Sequence, residues 1–342
     1  MPINLTMKRF LKIIAVLVAL LAIAYFLGPK PAAPIYNNNL IQVPSEPAAL
    51  EAFVKANEAV HHVKPDNEAR IVWANDSTKA KTPYVIVYLH GFSASQEEGN
   101  PVHKNIAKQF GCNMYLARLS EHGIDTTDAL INMTATSLWE SAKEAYAIGK
   151  QLGDKVILMG TSTGGTVALE LASNFDDVAG LVLYSPNIAI NNPSAFLTNN
   201  PWGLQIARMV MGGKENVLKN RTDAYKKYWN DHYRLEAVVE LQELLETTMI
   251  PSHFTKIKCP LLTLYYFKDE KNQDPVVKVS AMKEMFEAVG TPANLKRMVP
   301  IPEAGNHVLA SPIQSNDIVT VEKETALFLE QIVQLKKVIH AK

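Results

Sequence analysis

The sequence has few cysteines and no formal net charge. Only two of the 342 residues are cysteines, Cys112 and Cys259, which is too few for a disulfide scaffold. We expect two buried free thiols, although a single bridge between them stays open. Neither cysteine lies in a CxxC or CxxH arrangement, so the sequence suggests no zinc site. The 34 basic residues balance the 34 acidic residues, so composition gives no support for nucleic-acid binding.

Apolar residues are plentiful, and an unbroken run of them stands near the N-terminus. Basic residues precede this run at 13–27, which is short for a membrane span unless Phe10 and Leu11 extend it. Two interpretations of residues 1–28 stay open: an uncleaved membrane anchor, or a signal peptide cleaved at Ala22-Ile23-Ala24. Apolar residues continue past Ala24, which favours the anchor. In both cases the basic flank predicts that the rest of the chain lies outside the cytoplasm, on the periplasmic or extracellular side.

Residues 29–45 are rich in proline, alanine and asparagine, and we interpret them as a linker that tethers residues 46–342. Beyond this linker, short apolar runs alternate with helical patterns. The predicted strands cover residues 69–73, 84–89, 113–116, 156–159, 180–184, 261–267 and 295–299. Buried strands separated by helices predict an α/β fold with a mainly parallel sheet and helices on both faces. No convincing strand occurs between residues 186 and 254, and helical patterns there predict a helical cap at about 187–254.

A Gly-x-Ser-x-Gly motif, Gly160-Thr161-Ser162-Thr163-Gly164, stands between a predicted buried strand and a predicted helix. A sharp strand-to-helix turn strains the backbone of the serine and pushes its hydroxyl out of the sheet. The flanking glycines suit so tight a turn, and the helix N-terminus faces the point where anionic charge develops. The motif alone is a weak signal, but its context predicts that Ser162 is a nucleophile.

The segment His90-Gly91-Phe92-Ser93 directly follows the predicted strand at 84–89. In a strand-turn-helix site of this kind, the loop after that strand supplies one donor of the oxyanion hole. We predict that the backbone N–H groups of Phe92 and Thr163 are the two donors. His90 is interpreted as a side chain that braces the loop by hydrogen bonds rather than as a base.

Four segments together resemble the α/β-hydrolase family, over about residues 69–335. They are Leu89-His90-Gly91-Phe92, Ala117-Arg118-Leu119-Ser120-Glu121-His122-Gly123, Gly160-Thr161-Ser162-Thr163-Gly164-Gly165 and Gly305-Asn306-His307. Within that family, the chain is most similar to the monoacylglycerol-lipase and carboxylesterase branch. The resemblance implies an α/β-hydrolase fold and a catalytic triad in the chain order serine, acid, histidine. It says little about the substrate.

That order implies a base among the two histidines that follow a plausible acid, His307 and His340. His340 stands two residues from the C-terminus, where chain ends fray, so His307 is the predicted base. The acid that the family pattern implies is Asp274, which precedes Pro-Val-Val. Several extra polar residues separate it from its strand, so Asp269, nearer the strand end, stays a rival. The alternative position for the acid follows the predicted strand at 180–184. It holds Asn187, which cannot act as a carboxylate.

Other candidate residues are ambiguous. His122 matches a family loop, and we interpret it as structural. The large apolar side chains of the predicted cap can line an acyl pocket or form the core of the cap itself. These side chains are Trp202, Met209, Met211, Tyr225, Tyr228 and Trp229.

The predicted function is hydrolysis of a carboxylic ester through an acyl-enzyme on Ser162, by a carboxylesterase or a monoacylglycerol-type lipase. The expected partners are a small-molecule ester or lipid and, through residues 1–28, a membrane. No metal and no organic cofactor are implied. Two alternatives stay open, because a serine peptidase or amidase uses the same triad and a non-catalytic binding module can share the fold.

Overall fold

The fold is known from a computed structural model, which describes residues 5–338. The strands are β1 Arg70–Val72, β2 Thr82–Leu89, β3 Asn113–Leu116, β4 Gly153–Thr161, β5 Val178–Tyr184, β6 Glu215–Val217, β7 His232–Arg234, β8 Leu261–Tyr265 and β9 Lys296–Pro300. The α-helices are α1 Leu5–Phe26, α2 Pro47–Ala59, α3 Val102–Phe110, α4 Ala135–Leu152, α5 Thr163–Asn174, α6 Gly203–Met211, α7 Asp223–Tyr228, α8 Leu235–Thr248, α9 Pro251–Phe254, α10 Val279–Ala288 and α11 Ile318–Gln331.

The central sheet has the strand order β1-β3-β2-β4-β5-β8-β9. Strand β1 is antiparallel to β3, and all other neighbours in this sheet are parallel. Parallel strands need crossover connections, and the helices supply them. The carboxyl ends of β2, β4, β5, β8 and β9 therefore meet at one edge, where a ligand site is expected in a sheet of this type.

Two hydrophobic cores lie on opposite faces of this sheet. Successive side chains of a strand point to opposite faces, so β2 places Val85 and Val87 in one core and Ile86 and Tyr88 in the other. Helices α4, α5 and α8 cover the first core, and α3 and α11 cover the second. The predicted mainly parallel sheet with helices on both faces is therefore confirmed. Both cysteines are free thiols.

The segment between β5 and β8 carries α6 to α9 above the carboxyl edge of the sheet, and the expected helical cap is present there. The expectation that this segment holds no strand is wrong. Strands β6 and β7 form an antiparallel pair in which Asn216 lies opposite Tyr233. Each has only three half-exposed or exposed residues, which is too short for an alternating apolar pattern to show in the sequence.

Residues 29–45, here called the strap, lie on the body of the protein. The Asn37 carbonyl accepts a hydrogen bond from the Trp139 indole at 2.8 Å, and Tyr36 packs edge-on against the same indole. Lys143 donates to Asn37 Oδ1 at 2.8 Å and to the Asn39 carbonyl at 3.0 Å. The strap therefore runs along helix α4, to which Asn37 and Asn39 are hydrogen-bonded.

Helix α1 is apolar and exposed. Among the described residues, one helix is long and apolar enough to cross a membrane, over Met7–Phe26, and none of that window is buried. A signal sequence has the same properties. The end of α1 contacts the cap, since the Trp202 indole donates to the Ala24 carbonyl at 2.9 Å and the Trp202 N–H donates to the Pro29 carbonyl at 2.9 Å.

Candidate active site

Ser162 occupies the turn between β4 and α5. Its backbone has φ 53° and ψ −117°, a conformation that side chains other than glycine rarely adopt. Two backbone hydrogen bonds hold it there: Ser162 N–H donates to the Tyr184 carbonyl at 2.9 Å, and Asn187 N–H donates to the Ser162 carbonyl at 3.0 Å. Strain of this kind persists only where surrounding contacts enforce it, so β5 fixes the serine from the side.

Glycine is required on both sides of this serine. A Cβ on Gly164 would lie 1.9 Å from the carbonyl oxygen of Leu89, and a Cβ on Gly160 would lie 2.5 Å from the carbonyl oxygen of Gly164. Real Cβ atoms do not approach backbone so closely. The close packing of β2, β4 and α5 therefore explains the Gly-x-Ser-x-Gly pattern that the sequence shows.

Asp274 and His307 meet at the same edge of the sheet. Asp274 Oδ2 lies 2.7 Å from His307 Nδ1, and Asp274 Oδ1 accepts hydrogen bonds from the N–H groups of Val276 at 2.9 Å and Val277 at 3.1 Å. Asp274 is 1% exposed and His307 is 8% exposed. Both carboxylate oxygens are thus occupied, which stabilises an ionised Asp274 in a buried position.

The environment of this pair lowers the pKa of Asp274 and raises the pKa of His307. Burial alone would raise the pKa of Asp274, but the charge and hydrogen bond of His307 and the two backbone donors outweigh it and lower that pKa. Burial alone would lower the pKa of His307, but the charge and hydrogen bond of Asp274 outweigh it and raise that pKa. An ionised carboxylate beside a basic imidazole is the arrangement that a triad needs.

The rival acid lies elsewhere. Asp269 sits in an exposed turn after β8, where its Oδ1 accepts from the N–H groups of Lys271 and Asn272, each at 2.9 Å. The structure brings Asp274, and not Asp269, to His307. His340, the other histidine considered, lies outside the described residues.

The loop after β2 is braced by His90. His90 Nδ1 donates to the Gly91 carbonyl at 2.9 Å, and His90 Nε2 accepts from the Leu119 N–H at 3.0 Å. Burial, with the neighbouring His122, holds the pKa of His90 well below its usual value, so the ring is neutral. His122 is buried as well, and its Nδ1 lies 2.8 Å from the Ser120 carbonyl. Both histidines therefore have structural contacts.

The two predicted oxyanion donors lie on either side of the serine. Thr163 follows Ser162 as the first residue of α5, and it is fully buried. Phe92 belongs to the loop after β2, and its ring packs edge-on against Tyr233 of the cap with the ring centroids 4.9 Å apart. The cap thus touches the loop that carries one predicted donor.

A cavity of about 570 Å³, here called the serine cleft, lies between the cap and the sheet edge. Ser162 and His307 both line it, together with Phe92. From the cap, Tyr225 and Trp229 line it as a stacked pair with ring centroids 5.2 Å apart. The other cap residues considered for an acyl pocket do not line this cleft, and Trp202, Met209 and Met211 are exposed.

Two polar residues of the serine cleft carry no role in the sequence-based interpretation. Asn187, considered there only as a missing acid, is 3% exposed, and its Oδ1 has no hydrogen-bond partner. Glu98 is 2% exposed and accepts a hydrogen bond from the Gly91 N–H at 2.5 Å. Nothing in the sequence separates Glu98 from its neighbour Glu97, which is half-buried outside the cleft. Among the described residues, no group of three or more acidic, histidine or cysteine side chains is arranged to hold a metal ion.

A parallel sheet that presents a strained serine between strand and helix, beneath a helical cap, defines the α/β-hydrolase class of fold. A model of the alpha/beta hydrolase family matches residues 86–319, and the chain belongs to that family.

Relatives of known name lie among lipases and esterases. A thermostable monoacylglycerol lipase of Bacillus sp. (strain H-257) is 31% identical over 113 residues, which make up 33% of this chain and 43% of that lipase. The match therefore spans less than half of that relative.

Solved structures share the fold. A chain of the metagenome-derived lipolytic enzymes LipS and LipT has a TM-score of 0.60 at 17% identity, over 79% of this chain and 99% of that chain. A monoacylglycerol lipase of Paleococcus ferrophilus has a TM-score of 0.56 at 18% identity, over 79% of this chain and all of that one.

Proposed function

We propose that this chain is a serine hydrolase that cleaves carboxylic esters, as a carboxylesterase or a monoacylglycerol-type lipase. One observation carries the proposal: His307, which is bonded to the buried Asp274 at 2.7 Å, lines the same cleft as the strained Ser162 turn. A nucleophile, a base and an acid that orients the base are thereby gathered at one sheet edge. The named relatives support an ester substrate, since they are lipases and lipolytic enzymes.

The roles follow from the hydrogen bonds. Because His307 Nδ1 donates to Asp274, its Nε2 carries the lone pair that can accept the Ser162 proton. Ser162 Oγ then attacks the ester carbonyl, and the N–H groups of Phe92 and Thr163 stabilise the oxyanion. His307 passes the proton to the departing alcohol, which leaves an acyl group on Ser162. Water activated by His307 hydrolyses that acyl-enzyme.

The N-terminal helix α1 is proposed to be a membrane anchor with the hydrolase domain outside the cytoplasm. Its exposed apolar surface and the basic residues in its first turns, Lys8, Arg9 and Lys12, support this topology. Cell fractionation with N-terminal sequencing tests it. A full-length chain that is recovered only in the soluble fraction contradicts the anchor.

The nucleophile is tested by fluorophosphonate labelling and turnover of p-nitrophenyl esters. Ser162→Ala should abolish labelling and reduce turnover by about four to six orders of magnitude, because the residual rate comes from binding alone. The matched control is Ser194→Ala, which removes an exposed hydroxyl and should change neither readout. Aminoacyl anilides are assayed in parallel. Preferential cleavage of the anilides contradicts the ester assignment, and a wild-type chain without labelling contradicts the hydrolase itself.

A further inference from the structure

Glu98 is a buried carboxyl group that meets the nucleophile turn and the loop after β2. It belongs to the short 3₁₀ turn Gln96–Gly99 and lines the serine cleft with Ser162 and His307. A Cβ on Gly91 would lie 3.0 Å from both Glu98 carboxylate oxygens and 3.0 Å from Ser162 Cβ. The carboxyl group, the Gly91 backbone and the nucleophile side chain therefore converge on one point.

Two side chains fix the peptide groups on either side of Gly91. Glu98 accepts from the Gly91 N–H at 2.5 Å, and His90 donates to the Gly91 carbonyl at 2.9 Å. The Gly91 carbonyl and the Phe92 N–H belong to one planar peptide group. Holding Gly91 from both sides therefore fixes the direction in which the Phe92 N–H points.

The charge of Glu98 also acts on the predicted base. The groups that stabilise its carboxylate are the Gly91 N–H, the His307 imidazole and the Trp229 indole. Of these, His307 is the one that can carry a positive charge. Asp274 holds His307 from the Nδ1 side, and Glu98 lines the serine cleft together with His307, so an ionised Glu98 favours the protonated form of the ring.

We propose that Glu98 is a positioning residue of this site: its carboxyl group holds the Gly91 peptide behind the Phe92 donor, and its charge acts on His307. This inference rests on the proposed function, because it assigns Glu98 a role in the reaction of Ser162. It adds to the serine, acid and histidine a fourth side chain that touches none of the reacting atoms.

Two charged side chains share the surroundings of Glu98 and His307: Asp274 bonds to His307, and Arg221 lines the serine cleft over the Tyr225 ring. Three other titratable side chains pack around this turn: Tyr88 from β2, His103 from α3 and Tyr225 from α7. Burial raises the pKa of both tyrosines and lowers the pKa of His103 to about 3, so all three stay neutral near pH 7. Burial raises the pKa of Glu98 to about 7, so its carboxyl group gains its charge in the pH range in which it raises the pKa of His307.

The direction of the expected effect follows from these charges. His307 acts as a base only when it is neutral, and a nearby negative charge favours its protonated form. Removing the charge of Glu98 should therefore let His307 lose its proton at a lower pH. The acid limb of the kcat/KM profile should move in the same direction.

The test compares three variants of the full chain. Glu98→Gln keeps an acceptor for the Gly91 N–H but removes the charge, and the acid limb should shift down by about 0.5–1 pH unit. The His307 ring titration, followed by NMR, should shift equally. Glu98→Leu removes the acceptor as well, and kcat should fall by roughly tenfold or more with little change in KM, since an oxyanion donor is misaligned. Glu97→Gln is the control and should leave the profile unchanged.

The outcomes separate this inference from the proposed function. A wild-type chain that a fluorophosphonate does not label overturns the proposed function. A labelled wild type with the same acid limb and His307 titration in Glu98→Gln overturns the role of Glu98, and so does an equal shift in Glu97→Gln. If Glu98→Leu does not fold, the Gln variant still decides.

Discussion

Asp274 and Lys143 are two charged side chains that are buried to the same degree, at 1% exposed each. Asp274 lies behind His307, which lines the serine cleft, and bonds to this histidine and to the backbone of its own loop. Lys143 lies on helix α4 and bonds to Asn37 and Asn39 of the strap and to Glu140. Each charge is fully satisfied, as burial demands.

Asp274 and Lys143 are equally buried, but they differ in the chemistry of the groups that they contact. Asp274 orients a group that can exchange a proton near pH 7, whereas the partners of Lys143 are amides, a carbonyl and a carboxylate that hold a segment in place. A buried charge is therefore evidence of function only when it acts on a group that can react. We expect mutations at Asp274 to change kinetics and disruption around Lys143 to change stability.

The largest expected effect is at Asp274. Asp274→Asn should reduce kcat by about 10⁴-fold while the fold survives, because the histidine loses the partner that sets its tautomer and stabilises its charge. Steady-state kinetics and circular dichroism on the same sample measure both properties. The matched control, Asp269→Asn, alters only an exposed turn and should leave kcat within about twofold. The opposite ranking on folded protein transfers the acid role to Asp269.

The next effect concerns Lys143 and the strap. Deleting residues 1–40 removes Asn37 and Asn39, two of the three polar partners of Lys143, and the Tyr36 contact with Trp139, so the free energy of unfolding should fall by about 1–3 kcal/mol. Urea unfolding measures it, and kcat of the folded fraction should hardly change. Deleting only residues 1–30 keeps these contacts and is the control.

Equal stability of the two deletions argues against the role of the strap.

The smallest effect is the position of the acid limb in the wild type. The pKa of His307 is raised above its ordinary value because the charge and hydrogen bond of Asp274 outweigh burial. As pH falls through that raised pKa, the base is protonated and activity is lost, so the limb should lie above about 6.5. The pH dependence of kcat/KM measures it. A limb below that value, with chemistry rate-limiting, means that Asp274 does not act on His307 as the structure indicates.

Local signals explain what the sequence could predict. The Gly-x-Ser-x-Gly motif spans five consecutive residues, and the central strands β2, β4, β5 and β8 contain continuous apolar runs, so both can be recognised in the sequence. The resemblance to a family favours Asp274 over Asp269, and the structure places Asp274 beside His307.

Contacts between distant residues explain what the sequence could not predict. Glu98 looks like Glu97 until the chain folds and buries it beside Gly91. The composition of the strap predicts a linker and does not show its partners. Asn37 bonds to residues of α4 that lie more than a hundred positions away in the sequence. Strands β6 and β7 are too short to carry a pattern.

The backbone of Ser162 has a cost that every folded molecule carries, with or without substrate. A residue other than glycine at φ 53° costs on the order of 1–3 kcal/mol. Glycine at this position would relieve that strain and remove the proposed nucleophile in the same step. Stability and the proposed chemistry therefore make opposite demands on this one residue. Selection for heat resistance alone would favour glycine here and would lose the proposed activity.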